Sequence, residues 1–291
     1  MATLQSAFQS VWHQFSDHGI AGAQLEARLL TAFVAGKTPE QFLRDRQMAL
    51  SPTAEQQLQT LLERRLCGEP LAYLIGNWSF YGLPFVVCPD VLIPRMDTEV
   101  LIDCILHDLS EKLDSSWSIL DLCSGSGCIG CALAVNLPNS RVTLADISTA
   151  ALAVCETNVA QNGLSDRVSC RLADAKSVPP ADWQPMDLIV CNPPYIPTSD
   201  LKTLDCTVRD YEPTLALDGG ADGLDFYRAV LAHWAPLLTA DGRLYFEVGI
   251  NQTETVLALM PQYGIAPIGK VHDSLGVARV VIGKQVQSSN T

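Results

Sequence analysis

Positive charge is what this sequence has least of. Its 291 residues hold 19 Lys and Arg against 32 Asp and Glu, a formal net charge of −13. Broad non-specific contact with nucleic acid needs a basic surface, so no direct nucleic-acid partner is expected. Long apolar runs are missing too. None approaches the roughly 20 residues of a membrane span. The segment Met1 to Phe15 has neither the basic start nor the apolar stretch of a signal peptide. No membrane association is expected, and the expected location is the cytoplasm. Cysteine is not scarce, at ten residues. Cys104, Cys170 and Cys191 nevertheless sit inside apolar runs, as small buried hydrophobes of a reducing compartment do, rather than disulfides. Cys123, Cys128 and Cys131 have a spacing that can hold an iron–sulfur cluster, but no fourth ligand stands out and no metal is expected.

What is present is a well-cored chain, 48% hydrophobic and 18% charged, long enough for one large domain or two smaller ones. Residues 1–77 read as a helical bundle. Leu25, Leu29 and Phe33, with Leu30 and Val34, make one apolar face that Gly36 ends. Ser51-Pro52-Thr53 before Glu55 starts another helix, with Leu58, Leu61, Leu62 and Leu66 as its stripe. Residues 78–94 read as a β-hairpin linker, two short strands around a Gly82-Leu83-Pro84 turn. Over 95–285 strand and helix alternate. Strands are expected at 119–122, 142–146, 168–172, 188–191, 244–248 and 277–282, and helices at 128–136, 149–162, 224–238 and 252–260. This alternation implies an α/β fold with a mostly parallel sheet. The polar tail from Gln285 is expected to fray.

Two motifs carry chemistry. Gly125, Gly127 and Gly130 form G-x-G-x-x-G in a strand–turn–helix context, where missing Cβ atoms allow a tight turn and close approach to a ligand. Asp146 ends the next strand at the spacing suited to accepting from ribose hydroxyls; capping the following helix is the alternative, with Ser148 also available. Asp174 can accept from an adenine amine or cap a turn. A dinucleotide and S-adenosylmethionine both fit this half.

The second motif is Asn192-Pro193-Pro194-Tyr195, which closes the apolar run Asp187–Cys191. Proline has no N–H and restricts the residue before it, so the strand stops there. It leaves an amide side chain and free carbonyls at the carboxyl edge of the sheet, where open α/β folds keep their ligands. Such a group suits an NH2, and a hydride transferase has no need of it. The donor favoured is S-adenosylmethionine.

Asn-Pro-Pro-Tyr after Asp121-Leu122 and the glycine loop resembles the amino-methyltransferases that use S-adenosylmethionine. Gly68-Glu69-Pro70-Leu71-Ala72-Tyr73, Leu92-Ile93-Pro94-Arg95, Asp97-Thr98-Glu99 and Tyr211-Glu212-Pro213 narrow this to a resemblance to the HemK-type release-factor glutamine methyltransferases. The resemblance implies a Rossmann-like seven-stranded methyltransferase sheet whose last strand is antiparallel, behind an N-terminal helical bundle and a hairpin. It implies methyl transfer to the glutamine of the Gly-Gly-Gln motif in class 1 peptide chain release factors. By motif position, Cys123, Ser124, Gly125, Ser126 and Gly127 would line the cofactor, Asp146 its ribose, and Asp174-Ala175 its adenine. Asn192, Pro193, Pro194 and Tyr195 would hold the glutamine, with Asn192, Pro193 and Tyr195 in catalytic roles. Two residues depart from the family pattern: Cys123 stands where glycine is frequent, and Ala175 where an aromatic is. Arg95 and Glu212 are expected to border the site as a structural ion pair. Open alternatives are a ribosomal-protein glutamine as acceptor, an adenine-specific DNA methyltransferase, a non-catalytic S-adenosylmethionine-binding module and a dinucleotide dehydrogenase.

Overall fold

The computed structural model describes residues 2–286, which fall into two compact units. The first is built from residues up to Gly76 together with Asp205–Tyr211. Its helices are α1 (Leu4–Asp17), α2 (Ala23–Val34), α3 (Pro39–Arg44), α4 (Pro52–Leu66) and α5 (Leu71–Ile75). Ser51 caps α4 by accepting from Ala54 N at 3.1 Å, with Pro52 at the first helical position, where its missing N–H costs nothing. Gly36 ends α2 at φ +63°, as a glycine past a helix end does. The buried face of α2 differs from the expected one. Ala23, Ala27, Leu30, Thr31 and Val34 are buried, whereas Leu25 is 51% and Phe33 37% exposed. Both stripes have helical spacing; the alanine-bearing one admits the neighbouring backbones more closely.

The second unit begins with a hairpin of β1 (Asn77–Phe80) and β2 (Leu83–Val86). Its turn is Tyr81-Gly82, not Gly-Leu-Pro: Phe80 pairs with Leu83 and Ser79 with Pro84. Both turn residues have positive φ, at 49° and 74°, as a two-residue hairpin that matches strand twist requires. Pro84 is tolerated because the strand is an edge.

The rest alternates as α6 (Glu99–Asp108), β3 (Ser118–Leu122), α7 (Cys128–Asn136), β4 (Arg141–Asp146), α8 (Thr149–Gln161), β5 (Val168–Leu172) and β6 (Met186–Cys191). The short α9 (Cys206–Arg209) belongs to the first unit. After it come α10 (Asp225–Ala229), β7 (Leu238–Glu247), α11 (Thr253–Leu259), β8 (Ile265–His272) and β9 (Ala278–Gln285). The seven strands β3 to β9 form one sheet in the order β5-β4-β3-β6-β7-β9-β8. Strands β3 to β7 pair in parallel, and β9 inserts antiparallel to both neighbours. Gln285 closes β9, and the rest of the expected polar tail, residues 287–291, lies outside the described residues. The helix expected over 224–238 is α10 followed by a π-helical turn, Val230–Trp234, and a 3-10 turn. Pro236 cannot donate into a regular ladder and crowds the carbonyl four residues back, so the winding changes before it.

Candidate active site

The sheet register sets the site. Leu122 of β3 pairs with Cys191 of β6, which pairs with Phe246 of β7. Cys123, Asn192 and Glu247 are therefore the next residues along three adjacent strands, at the carboxyl edge. Cys123 is half-buried and turns the chain with φ +62°. That is the left-handed region, where a side chain costs about 1–2 kcal/mol and glycine nothing. The glycine that the resemblance implies at this position would thus have a backbone cause.

The glycines of the loop divide by task. Around Gly125 (φ +53°) a Cβ would meet nothing within 4 Å. At Gly127 it would stand 2.8 Å from Leu144 Cδ1, and at Gly130 2.2 Å from Leu144 Cδ2. Gly125 opens the loop toward a cavity; Gly127 and Gly130 let α7 pack close on β4. Asn158, fully buried on α8, donates to the Ser126 carbonyl at 2.9 Å and bonds Val86 N and O, so it braces the loop.

One cavity runs along this edge. Cys123, Ser124, Gly125 and Ser126 form one wall, Asp146, Asp174 and Ala175 a second, and Asn192 and Pro194 a third. Three sequence-derived candidates are not on its lining: Gly127, Pro193 and Tyr195. Pro193 is buried, and the Tyr195 ring lies against Gly249, whose added Cβ would stand 2.9 Å from Tyr195 Cδ2. Burial pushes the Tyr195 phenol up to about 12. The lining also includes Pro94, Arg95, Thr98, Ile147, Lys176 and Phe226. The Lys176 ammonium stands 5.0 Å from the centre of the Phe226 ring.

Asp146 does not cap α8. Ser148 does, accepting from Ala151 N at 3.1 Å. Asp146 instead accepts from Gly125 N and Ser148 N, both at 2.9 Å, one on each carboxylate oxygen. Each oxygen keeps a lone pair for a ligand. Burial raises its pKa, and these backbone N–H groups pull it back. Asp174 closes a turn, accepting from Lys176 N and Ser177 Oγ at 2.8 Å each, while also lining the cavity. Asp121 is fully buried; it accepts from Gly130 N at 2.8 Å, its Oδ1 has no partner, and burial pushes it up to about 7. Arg95 and Glu212 form an ion pair at the rim, and Glu212 also accepts from Ile93 N at 3.2 Å. Asn192 donates through Nδ2 to Thr98 Oγ1 at 3.4 Å. Cys128 and Cys131 are buried in α7, and burial raises both thiols. Among the described residues no group of His, Cys, Asp and Glu is gathered for a metal ion, and no helix is long and apolar enough to cross a membrane.

Comparison with known proteins places this chain in a family. Two family models match: PrmC N-terminal domain over residues 6–76 and Methyltransferase small domain over residues 96–209. A release factor glutamine methyltransferase of Geobacter sulfurreducens is 39% identical over 269 residues, 92% of this chain and 92% of the relative. The chain belongs to the release factor glutamine methyltransferase family. A further member, from Moorella thermoacetica, is 40% identical over 264 residues, 90% of this chain and 91% of its own length. Among solved structures the hMettl16 catalytic domain superposes with a TM-score of 0.53 at 16% identity, covering 88% of this chain and 93% of that one. That likeness concerns the fold, a Rossmann-like methyltransferase sheet, as the resemblance implied.

Sequence reasoning did not single out four residues at or behind this cavity. Ile147 and Phe226 bring apolar surface to its lining, on which Ala175 also lies. Ile147 could have been found as the residue after the ribose-type Asp; Phe226 had no local signal. Asn158 reads as an ordinary helix residue. Glu247 reads as the polar end of a strand, and only the register brings it beside Asn192.

Proposed function

We propose that this chain transfers a methyl group from S-adenosylmethionine to the side-chain amide nitrogen of the glutamine in the Gly-Gly-Gln motif of class 1 peptide chain release factors, in the cytoplasm. The observation that carries the reading is Asn192 standing at the carboxyl edge beside a cavity that Gly125 and Asp146 also line.

The residues fit such a donor. Gly125 leaves room for close backbone approach. Asp146 keeps acceptor capacity on both oxygens for two ribose hydroxyls. Ile147 and Phe226 offer apolar faces for a purine, with Asp174 at its edge. Backbone and side chains of Cys123 to Ser126 would hold the rest. When bound, the donor supplies a methyl on a sulfonium sulfur, which leaves as a neutral thioether as the N–C bond forms, and one N–H proton of the amide passes to water.

The protein's own work is positioning. An amide nitrogen is a poor nucleophile because its lone pair is delocalised into the carbonyl. Asn192 Oδ1 and the Pro193 carbonyl would accept from its two N–H bonds and turn the lone pair toward the methyl. Pro194 would form the floor beside it. Tyr195 is assigned to pack on the planar amide and exclude water once the acceptor is seated. Such orientation can supply roughly 7–11 kcal/mol of the barrier. The test is methyl incorporation from labelled S-adenosylmethionine into a purified release factor, with Asn192→Ala alongside. A folded Asn192→Ala enzyme working near the wild-type rate would sink the clamp.

A further inference from the structure

The amide of Asn192 has two orientations, and only one serves a clamp. With Oδ1 toward the cavity it accepts from a substrate NH2; flipped, it offers a second donor to a donor. Thr98 alone does not decide the matter, because a hydroxyl both donates and accepts. A group that only accepts, placed behind the amide, would decide it.

Glu247 is such a group. It follows Phe246, the register partner of Cys191, as Asn192 follows Cys191, so the two occupy equivalent places on adjacent parallel strands. Glu247 is 3% exposed, and its Oε2 has no hydrogen-bond partner. Thr98, 2% exposed, stands with it and meets the Asn192 amide at 3.4 Å. The Arg279 guanidinium, whose charge draws the Glu247 carboxyl down, makes its ion pairs elsewhere, with Asp97 at 2.6 Å and Asp273 at 2.9 Å. Asp97, Tyr195, Tyr227 and Cys128 are the other titratable groups around it. Burial pushes the carboxyl up to about 7, and hydrogen bonding from Thr98 and Asn192 draws it down. In either protonation state it keeps an acceptor oxygen for Asn192. A buried carboxyl with no ion pair of its own and one oxygen unsatisfied is costly, and packing alone gives no reason to keep one here.

We propose that Glu247 is a positioning residue: with Thr98 it takes the N–H bonds of the Asn192 amide from behind and fixes Asn192 Oδ1 toward the substrate nitrogen. The catalytic part of this inference rests on the proposed methyl transfer to an amide; the orientation of Asn192 does not. Glu247→Gln replaces the pure acceptor with an amide that can donate, so the Asn192 flip is no longer penalised.

The test has two arms on the full chain. In the first, the Asn192 side-chain NH2 pair is followed by NMR without substrate. Both protons are expected to be shifted and slow to exchange with water in wild type, and to lose that protection in Glu247→Gln. In the second, steady-state methylation of a release factor is compared. Glu247→Gln is expected to lower kcat about 10- to 100-fold while KM for the release factor and Kd for S-adenosylmethionine stay within about twofold. Glu247→Asp is expected to recover part of kcat. Should Glu247→Gln fail to fold, Thr98→Val removes the other partner and is expected to change the same NH2 signals. Unchanged Asn192 signals and unchanged kcat in a folded variant overturn the inference. A wild-type enzyme that methylates no release factor overturns the reading of function, and the NMR arm still decides the orientation of Asn192.

Discussion

At the scale of single residues, the site is held by groups whose local cost is visible. Cys123 occupies a left-handed backbone position. Cys123→Gly is therefore expected to stabilise the fold by about 1 kcal/mol, the strain released less the extra freedom of the unfolded chain. Urea unfolding of the pair measures this; a destabilised glycine variant would show that the thiol's packing outweighs the strain. Asp121 gives a pH signature. Its folded pKa is raised from 3.8 to about 7. The folded state holds this proton more tightly than the unfolded state, so this group favours folding at low pH. That contribution is lost as pH rises from about 4 to about 7. Asp121→Asn keeps an acceptor for Gly130 N and removes the charge. The wild-type minus variant difference in unfolding free energy should become less favourable to wild type across that window. A difference flat with pH would mean that Asp121 titrates normally in the fold. Asn192→Ala is expected to lower kcat about 100-fold or more, the scale of losing one oriented polar group from a transition state, and to cost about 1–3 kcal/mol of stability because buried Thr98 and Glu247 lose its N–H bonds.

At the scale of elements, the strand–turn–helix from β3 to α7 has two kinds of glycine, and substitution separates them. Gly130→Ala puts a methyl group 2.2 Å from Leu144 Cδ2 and 3.0 Å from Val142 Cγ1. Overpacking of this kind costs typically 1–3 kcal/mol, so denaturant unfolding should register it. Gly125→Ala meets no neighbouring atom, and its methyl enters the cavity instead. It is expected to weaken S-adenosylmethionine binding in calorimetry about 10-fold or more, while its cost in stability, about 1–2 kcal/mol, comes from the left-handed backbone at φ +53° rather than from overpacking. Equal losses in both assays for both variants would contradict the division of labour. The sequence pattern already carried the strands of this region, because buried parallel strands read as short apolar runs between turn signals. It also carried α7 and α8 within a residue or two. It misplaced the hairpin turn, since Tyr81 at positive φ carries no glycine-like signal. On α2 it was right about Leu30 and Val34, which are buried, and wrong about Leu25 and Phe33, which are exposed while Ala23 and Ala27 are buried; a Leu and Phe stripe outweighs alanines in a hydrophobic count.

At the scale of the whole molecule, the register of β3, β6 and β7 turns three separate strand ends into one edge. The glycine loop, Asp146 and Asn192 were legible in the sequence because each stands at the end of its own strand, within a local motif. Glu247 and Phe226 were not, because their place beside the site depends on the order of strands across the sheet. Tyr195, a motif residue expected at the substrate, has its ring on Gly249 and off the cavity lining. The net charge of −13 argues against broad contact with bare nucleic acid. The central claim is that the methyl goes to one protein amide. Incubation of the purified chain with methyl-labelled S-adenosylmethionine and a class 1 release factor, followed by peptide mass spectrometry, tests it most directly. The account predicts a single added methyl on the glutamine of Gly-Gly-Gln, lost with Asn192→Ala. Label on another residue, or on a ribosomal protein or DNA with the release factor left unmodified, would contradict it.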